Sequence, residues 1–259
     1  MKQYSYEMME QQNEVVAYFN SLYFDPYKHQ YWVDNRFVVR PSVSELVKDF
    51  YDPFNEFEMS KRVAQKRNVP HEKVMKEWKM TRDEGASRGT NTHEYAAICI
   101  HHPKAPPRTE HERAVLGFVQ SLPEFIVPFA VERSMYHKTL AYAGTCDLIL
   151  YNQKTSKFTL CDYKTNKELF KNWKEKKMRA PFDHLLENDF NKYQIQLSLY
   201  QLMFEQTGIK ISSRKLIWVK ADGNFEVHET DDYTETLKEY LKAKNARKRS
   251  HTENTVAVQ

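Results

Sequence analysis

Three residues near the middle of the chain have types and spacing that could do chemistry together. Asp162 and Lys164 stand two apart in CDYKT, and Asp147 lies upstream in GTCDLIL. Residues two apart on a β-strand share a face, so an Asp-x-Lys strand sets a carboxylate beside an ammonium. A second carboxylate facing the first would repel it unless a cation lies between them. A hard divalent ion held by oxygen ligands meets that need. A lysine beside such an ion can stabilise charge growing on a phosphate, which is the chemistry of phosphodiester hydrolysis. On a plain surface hairpin the same residues would be solvated charges, so the rest of the chain has to decide.

The elements that must position these residues are legible in outline. Residues 145–151 and 157–163 are rich in β-branched and aromatic types around a polar turn at 152–156, a β-hairpin pattern. A turn centred between Lys154 and Thr155 places Asp147 directly opposite Asp162, with Cβ atoms about 5 Å apart. Cys161 and Tyr163 then point to the other face. Residues 125–136 form a preceding strand, in which Glu132 interrupts an apolar run. With a turn near Thr139-Leu140, Glu132 falls opposite Asp147 from the other side, across a connection long enough to bulge.

Upstream, Gly89, His93, Ala96, Ala97 and Ile100 share one face at helical spacing. That small, apolar face could carry one imidazole to the sheet. Taken alone, His93 reads as a hydrogen-bonded core histidine. Downstream, residues 187–206 form a long helix with a Tyr193, Leu197, Tyr200, Phe204 stripe, and Gln196 sits one turn before Tyr200. Between hairpin and helix, Lys167, Lys171, Lys174 and Lys177 interleave with Phe170 and Trp173. Either they line a groove for a nucleic-acid backbone with stacking platforms, or they form the solvated face of a helix.

The 259 residues, 41% hydrophobic and 29% charged, suit a soluble globular protein with a substantial core. A net charge of +4 permits a nucleic-acid partner without demanding one. No apolar run approaches the roughly 20 residues that span a bilayer, and the polar start lacks a signal core, so the expected partners exclude membrane and the expected location is the cytoplasm (a host's, for a viral protein). Cys99, Cys146 and Cys161 lack CxxC spacing and are too few for a four-thiolate cluster, so core packing without a disulfide or an iron–sulfur cluster is expected. Residues 1–20 look helical, 28–32 and 36–39 a hairpin around Asp34-Asn35, Ser42 and Glu45 a capping box, and 56–67 and 72–83 helices. Strands at 215–220 and 225–228 and a helix at 233–246 with a basic, frayed tail close the chain. Residues 1–84 are thus a mainly helical cap with a small hairpin, 85–230 an α/β core, and 231–259 a terminal helix and tail.

Taken in order, RGTNTH, Glu132, GTCDLIL, CDYKT and QLSLY resemble the motifs of the PD-(D/E)XK nucleases of the RecB-like branch. The layout is similar to its compact single-domain exonucleases, such as the mitochondrial genome maintenance exonuclease and phage relatives. The resemblance implies a restriction-endonuclease-like core, a central mixed sheet flanked by helices. It implies that His93, Asp147, Asp162 and the Tyr163 carbonyl bind one or two Mg²⁺ or Mn²⁺ ions, and that Lys164 acts on the scissile phosphate. Gln196 and Tyr200 would orient Lys164 or the strand, and Glu132 would be a supporting carboxylate. The implied partner is DNA, single-stranded or with a free end, in the company of replication, recombination or repair proteins. A structure-specific endonuclease or resolvase, or a binding partner without turnover, are the alternatives.

Overall fold

The computed structural model describes residues 4–256. The strand-forming runs build a five-stranded sheet in the order β4 (Ile126–His137), β5 (Tyr142–Asn152), β6 (Lys157–Lys164), β7 (Ile211–Val219) and β8 (Phe225–Glu229). All neighbours are antiparallel except β6 and β7, which are parallel. A parallel pair requires a crossover, and α6 (Asp189–Phe204) supplies it, started by the Asn188 side chain accepting the Asn191 N–H.

Both sheet faces are covered, giving an α/β core of three layers. On one face, α4 (His71–Cys99) and α5 (Glu110–Ser121) pack Tyr95, Ala96, Cys99, Val115 and Phe118 against Leu148, Cys161 and Tyr163. On the other, α1 (Tyr6–Tyr18), α2 (Val43–Val47), α6 and α7 (Thr234–Val256) contribute Val15, Leu46, Leu197, Phe204 and Leu237. Each fully buried Val, Leu or Phe among these supplies roughly 1.5–3 kcal/mol, so the two clusters clamp the sheet from both sides. All three cysteines are buried and free. Among the described residues no helix is long and apolar enough to cross a membrane.

A second, three-stranded sheet joins β1 (Leu22–Asp25), β2 (Gln30–Val33) and β3 (Phe37–Val39). The expected hairpin is its β2–β3 half, joined by Asp34, Asn35 and Arg36, with Asp34 and Asn35 both at φ 53°; left-handed residues of this kind let the chain reverse tightly, and Asn and Asp tolerate them. β1 went unread because LYFD is too short to show a period. The capping box is present: Ser42 accepts the Glu45 N–H and Glu45 accepts the Ser42 N–H. α3 (Glu56–Arg67) matches its expected bounds.

Three features differ from the sequence reading. Helix α4 runs unbroken for 29 residues through Gly85 and Gly89, so the join expected between residues 84 and 85 falls inside it. Its buried stripe is Thr92, Tyr95, Ala96 and Cys99, and His93 lies on the flank of that stripe. Packing against α5 as well as the sheet turns the helix by about a residue from the face its small side chains suggest. Helix α7 continues to Val256, past the expected end at 246; the last residues of the basic tail lie outside those described.

Candidate metal centre

The hairpin register is the expected one, with Leu148 opposite Cys161 and Asn152 opposite Lys157. The ladder stops at Leu148/Cys161. Beyond that pair β5 stays with β4 as far as Tyr142/His137, and β6 stays with β7 as far as Lys164/Trp218. The sheet therefore forks between β5 and β6, and Asp147 and Asp162 are the first residues past the fork. Asp147 Oδ2 accepts the Tyr163 N–H at 2.8 Å, standing in for the main-chain partner lost there.

Side-chain alternation also breaks at this point. Cys146 and Ile149 both enter the core on the α6 side, while Leu148 and Leu150 enter the α4/α5 side. Strict alternation would put residues 146 and 149 on opposite faces. The irregularity is matched on β4, where Glu132 adopts φ 46°. Non-glycine residues in that region carry of order 1–3 kcal/mol of strain, which the surrounding ladder must hold. The ladder around it has the expected register, Val131 with Leu148 and Arg133 with Cys146.

The outcome is two linked clusters in place of one facing pair. His93 Nδ1 lies 3.3 Å from Asp147 Oδ2 and 3.8 Å from Glu132 Oε1. One ligand atom from each of His93, Glu132 and Asp147 falls within 4.8 Å of the others. Asp162 sits outside this trio. Its Oδ2 contacts the Lys164 ammonium, and its Oδ1 accepts from Gln196 Nε2 at 3.3 Å. Gln196 Nε2 also donates to the Tyr200 hydroxyl at 2.9 Å, so the helical pair seen in the sequence is a physical contact. The ladder does not extend to the expected Asp147–Asp162 pair: Asp147 meets His93 of α4, and Asp162 meets Lys164 and Gln196 of α6.

The two clusters still share one field. Burial, then the Asp147 charge, pushes the Asp162 carboxyl up to about 6. Burial opposes a charge on His93, yet Asp147 and Glu132 outweigh it and push the imidazole up to about 10. Burial raises Glu132. Burial works against the Asp147 charge too, but His93, Lys164 and the Tyr163 N–H hold it below the usual range. Burial likewise disfavours the Lys164 ammonium, and Asp162 and Asp147 more than offset that. Three carboxylates therefore face two cationic side chains. Asp162, only 1% exposed, has its Oδ2 held by the Lys164 ammonium and its Oδ1 by Gln196. Three carboxylates with one imidazole make an oxygen-rich ligand set of the kind that Mg²⁺ or Mn²⁺ takes.

Two supports were not read from the sequence. Lys164 Nζ lies 4.6 Å from the centre of the Tyr193 ring, whose hydroxyl donates to Asn166 Oδ1 at 2.8 Å. Tyr193 belonged to a recognisable apolar stripe, but nothing in its spacing showed that it lies beneath the lysine. Tyr163 packs its ring edge-on against His93, with centroids 6.2 Å apart.

The lysine-rich stretch is an irregular loop and not a helix, with Lys174 and Glu175 both at positive φ. Trp173 is 73% exposed, whereas Phe170 packs against Phe190, Trp218 and His228. Lys171 pairs with Glu168 and lies over the Trp173 ring. Lys167, Lys174 and Lys177 are exposed and make no ion pair among the described residues.

No family model and no curated protein matches this sequence. Solved structures do match; one of them, the crystal structure of SSO0001, aligns with a TM-score of 0.32 at 10% identity, covering 88% of this chain and 79% of that one.

Proposed function

We propose that this protein is a metal-dependent nuclease that hydrolyses DNA phosphodiester bonds, a PD-(D/E)XK enzyme of the RecB-like branch acting on single-stranded or end-bearing DNA. The observation that carries the reading is the fork between β5 and β6. It gathers His93, Glu132 and Asp147 within 4.8 Å at one side and a buried Asp162–Lys164 pair at the other. Asp147 and Asp162 are both buried, and a fold has little structural reason to bury two acidic groups beside each other unless cations are to join them.

His93, Asp147 and Asp162, with Glu132 and the main chain of Tyr163, would hold one or two Mg²⁺ or Mn²⁺ ions. Bound there, such an ion supplies Lewis acidity toward the phosphate and lowers the pKa of water. The protein's own contribution centres on Lys164. Its ammonium is held between the Asp162 carboxylate and the Tyr193 ring, so it meets growing phosphate charge without reorganising. Gln196 and Tyr200 hold Asp162 from α6, fixing the carboxylate from which Lys164 is aimed. The exposed lysines and Trp173 of the following loop would grip the strand.

The deciding experiment offers linear and covalently closed circular single-stranded DNA with Mg²⁺ or Mn²⁺, with and without chelator. Degradation of the linear strand alone, abolished by chelator, is the expected result. Cleavage of the circle would make the protein an endonuclease. Undiminished cleavage in excess chelator, or none on any DNA, would overturn the reading.

A further inference from the structure

The hairpin of β1 and β2 has no part in the chemistry above, yet it overhangs the metal centre. Its tip is stiffened by Asp25, whose Oδ1 accepts the N–H groups of Tyr27 and Lys28 at 3.0 and 3.1 Å. Near its turn the hairpin is tied to β5, where the Tyr31 hydroxyl meets Thr145 Oγ1 at 3.0 Å, two residues before Asp147. The Phe24 ring sits edge-on to His29 at 5.2 Å and against Tyr31 at 4.7 Å. His29 is held at φ 51°, which sets its ring beside that of Phe24.

Two cavities flank this aromatic pair. One, of about 340 Å³, lies toward α2 and is lined by Ser42, Val43 and Tyr200. The other, of about 580 Å³, lies toward α4 and is lined by Gly89, His93 and Ala97. Both are bounded by Phe24, His29 and Glu132, so they meet at the metal centre with the ring pair between them. Neither is lined by a lysine or an arginine. Glu132 lines both chambers, and the α4-side one adds Glu94 beside His93, so, His29 aside, acidic groups outnumber basic ones in each and the walls favour uncharged groups over phosphate. The floor of the α2-side cavity carries the Tyr31, Thr145 and Ser134 hydroxyls, joined by two contacts of 3.0 and 2.9 Å. Three hydroxyls sharing two contacts leave one proton and several lone pairs for a ligand. On the other side, a Cβ added at Gly89 would meet no atom within 4 Å, so that wall is open.

A phosphodiester has this same pattern, a charged centre with an uncharged nucleoside on each side. We propose that Phe24 and His29 are specificity-determining residues, a divider against which the two nucleosides flanking the scissile phosphate stack, one in each cavity. The proposal rests on the nuclease reading and adds the element that selects unpaired bases. A base can enter either chamber only when it is free of its partner strand.

The test uses oligothymidylate carrying a single 2-aminopurine, bound in Ca²⁺, with the reporter moved along the strand. Phe24→Leu keeps apolar volume against Tyr31 but removes the aromatic face. His29→Asn removes the ring, and asparagine tolerates positive φ. Stacked bases contribute affinity that aromatic removal reduces by about five- to a hundredfold. Each variant should lose affinity within that range, and 2-aminopurine next to the scissile bond should be quenched in the wild type and brighten in both. Tyr27→Ala, at the hairpin tip and lining neither cavity, should change neither reading. Thermal melting of each variant checks its fold. If the wild type binds and cleaves the strand while Phe24→Leu and His29→Asn, both folded, match it in affinity and quenching, the divider is refuted and the nuclease reading stands. If the wild type neither binds nor cleaves, both fall.

Discussion

At the residue scale the centre is a set of charges that neutralise one another through protons, and on the proposed reading a metal ion would take the place of those protons. His93 is pushed up to about 10 and Asp162 up to about 6, so each holds a proton more tightly than it would in water. Ligation requires both groups deprotonated. The sign follows directly: raising the pH removes the competing protons, so affinity for Mn²⁺ should climb steadily from pH 6 to 9. Calorimetry in buffers of different ionisation heat should show proton release; a flat affinity across that range would count against His93 as a ligand. Lys164 offers a sharper test. On the nuclease reading its ammonium would act as charge builds on the phosphate, so Lys164→Ala should cut single-turnover cleavage on the order of a hundred- to a thousandfold. Strand affinity in Ca²⁺ should fall only by about one phosphate contact. Equal losses in rate and affinity would make Lys164 a binding residue.

At the element scale, α2, β5 and α6 meet at Gly144. A Cβ built there would lie 2.7 Å from Val43 Cγ2 and 2.9 Å from Tyr200 Cε1. The short α2, held by its Ser42–Glu45 capping box, sets Val43 against this glycine opposite the Tyr200 ring. Gly144→Ala must displace one of them. Overpacking of this kind costs about 1–3 kcal/mol, to be read as a lower melting temperature. Because Tyr200 supports Gln196 and Gln196 supports Asp162, cleavage should fall further than the stability loss explains. A variant that is destabilised but fully active would show that the α6 pair does not set Asp162.

At the scale of the whole molecule, a net charge of +4 is too small to gather DNA by itself, so local placement matters. The exposed Lys167, Lys174 and Lys177, with Lys171 and Trp173, lie on the loop that follows Lys164. Replacing the four lysines with alanine should flatten the log–log salt dependence of single-strand binding by roughly 0.7 per lost contact. An unchanged slope would leave the loop as solvated surface. Lys176 and Arg179 are taken up by Asp52 and Glu187 and should not contribute.

What the chain alone determined was local. Turn composition placed the β5–β6 hairpin and its register, Ser-x-x-Glu placed the start of α2, and Gln-x-x-x-Tyr placed a contact that helical geometry guarantees. The order of His93, Glu132, Asp147, Asp162 and Lys164 marked which residues to watch. Only the tertiary structure decided how they meet. The fork arises because β5 and β6 each stay with a different outer strand, and that competition involves partners far away in sequence. It leaves Asp147 in contact with His93 of α4 and Asp162 with Lys164 and Gln196 of α6, contacts that the hairpin by itself does not specify. Tyr193 beneath Lys164, and the β1–β2 hairpin over Glu132, are likewise contacts between distant segments. No period or spacing records them, because each is set by how separate elements pack and not by the order of residues within one.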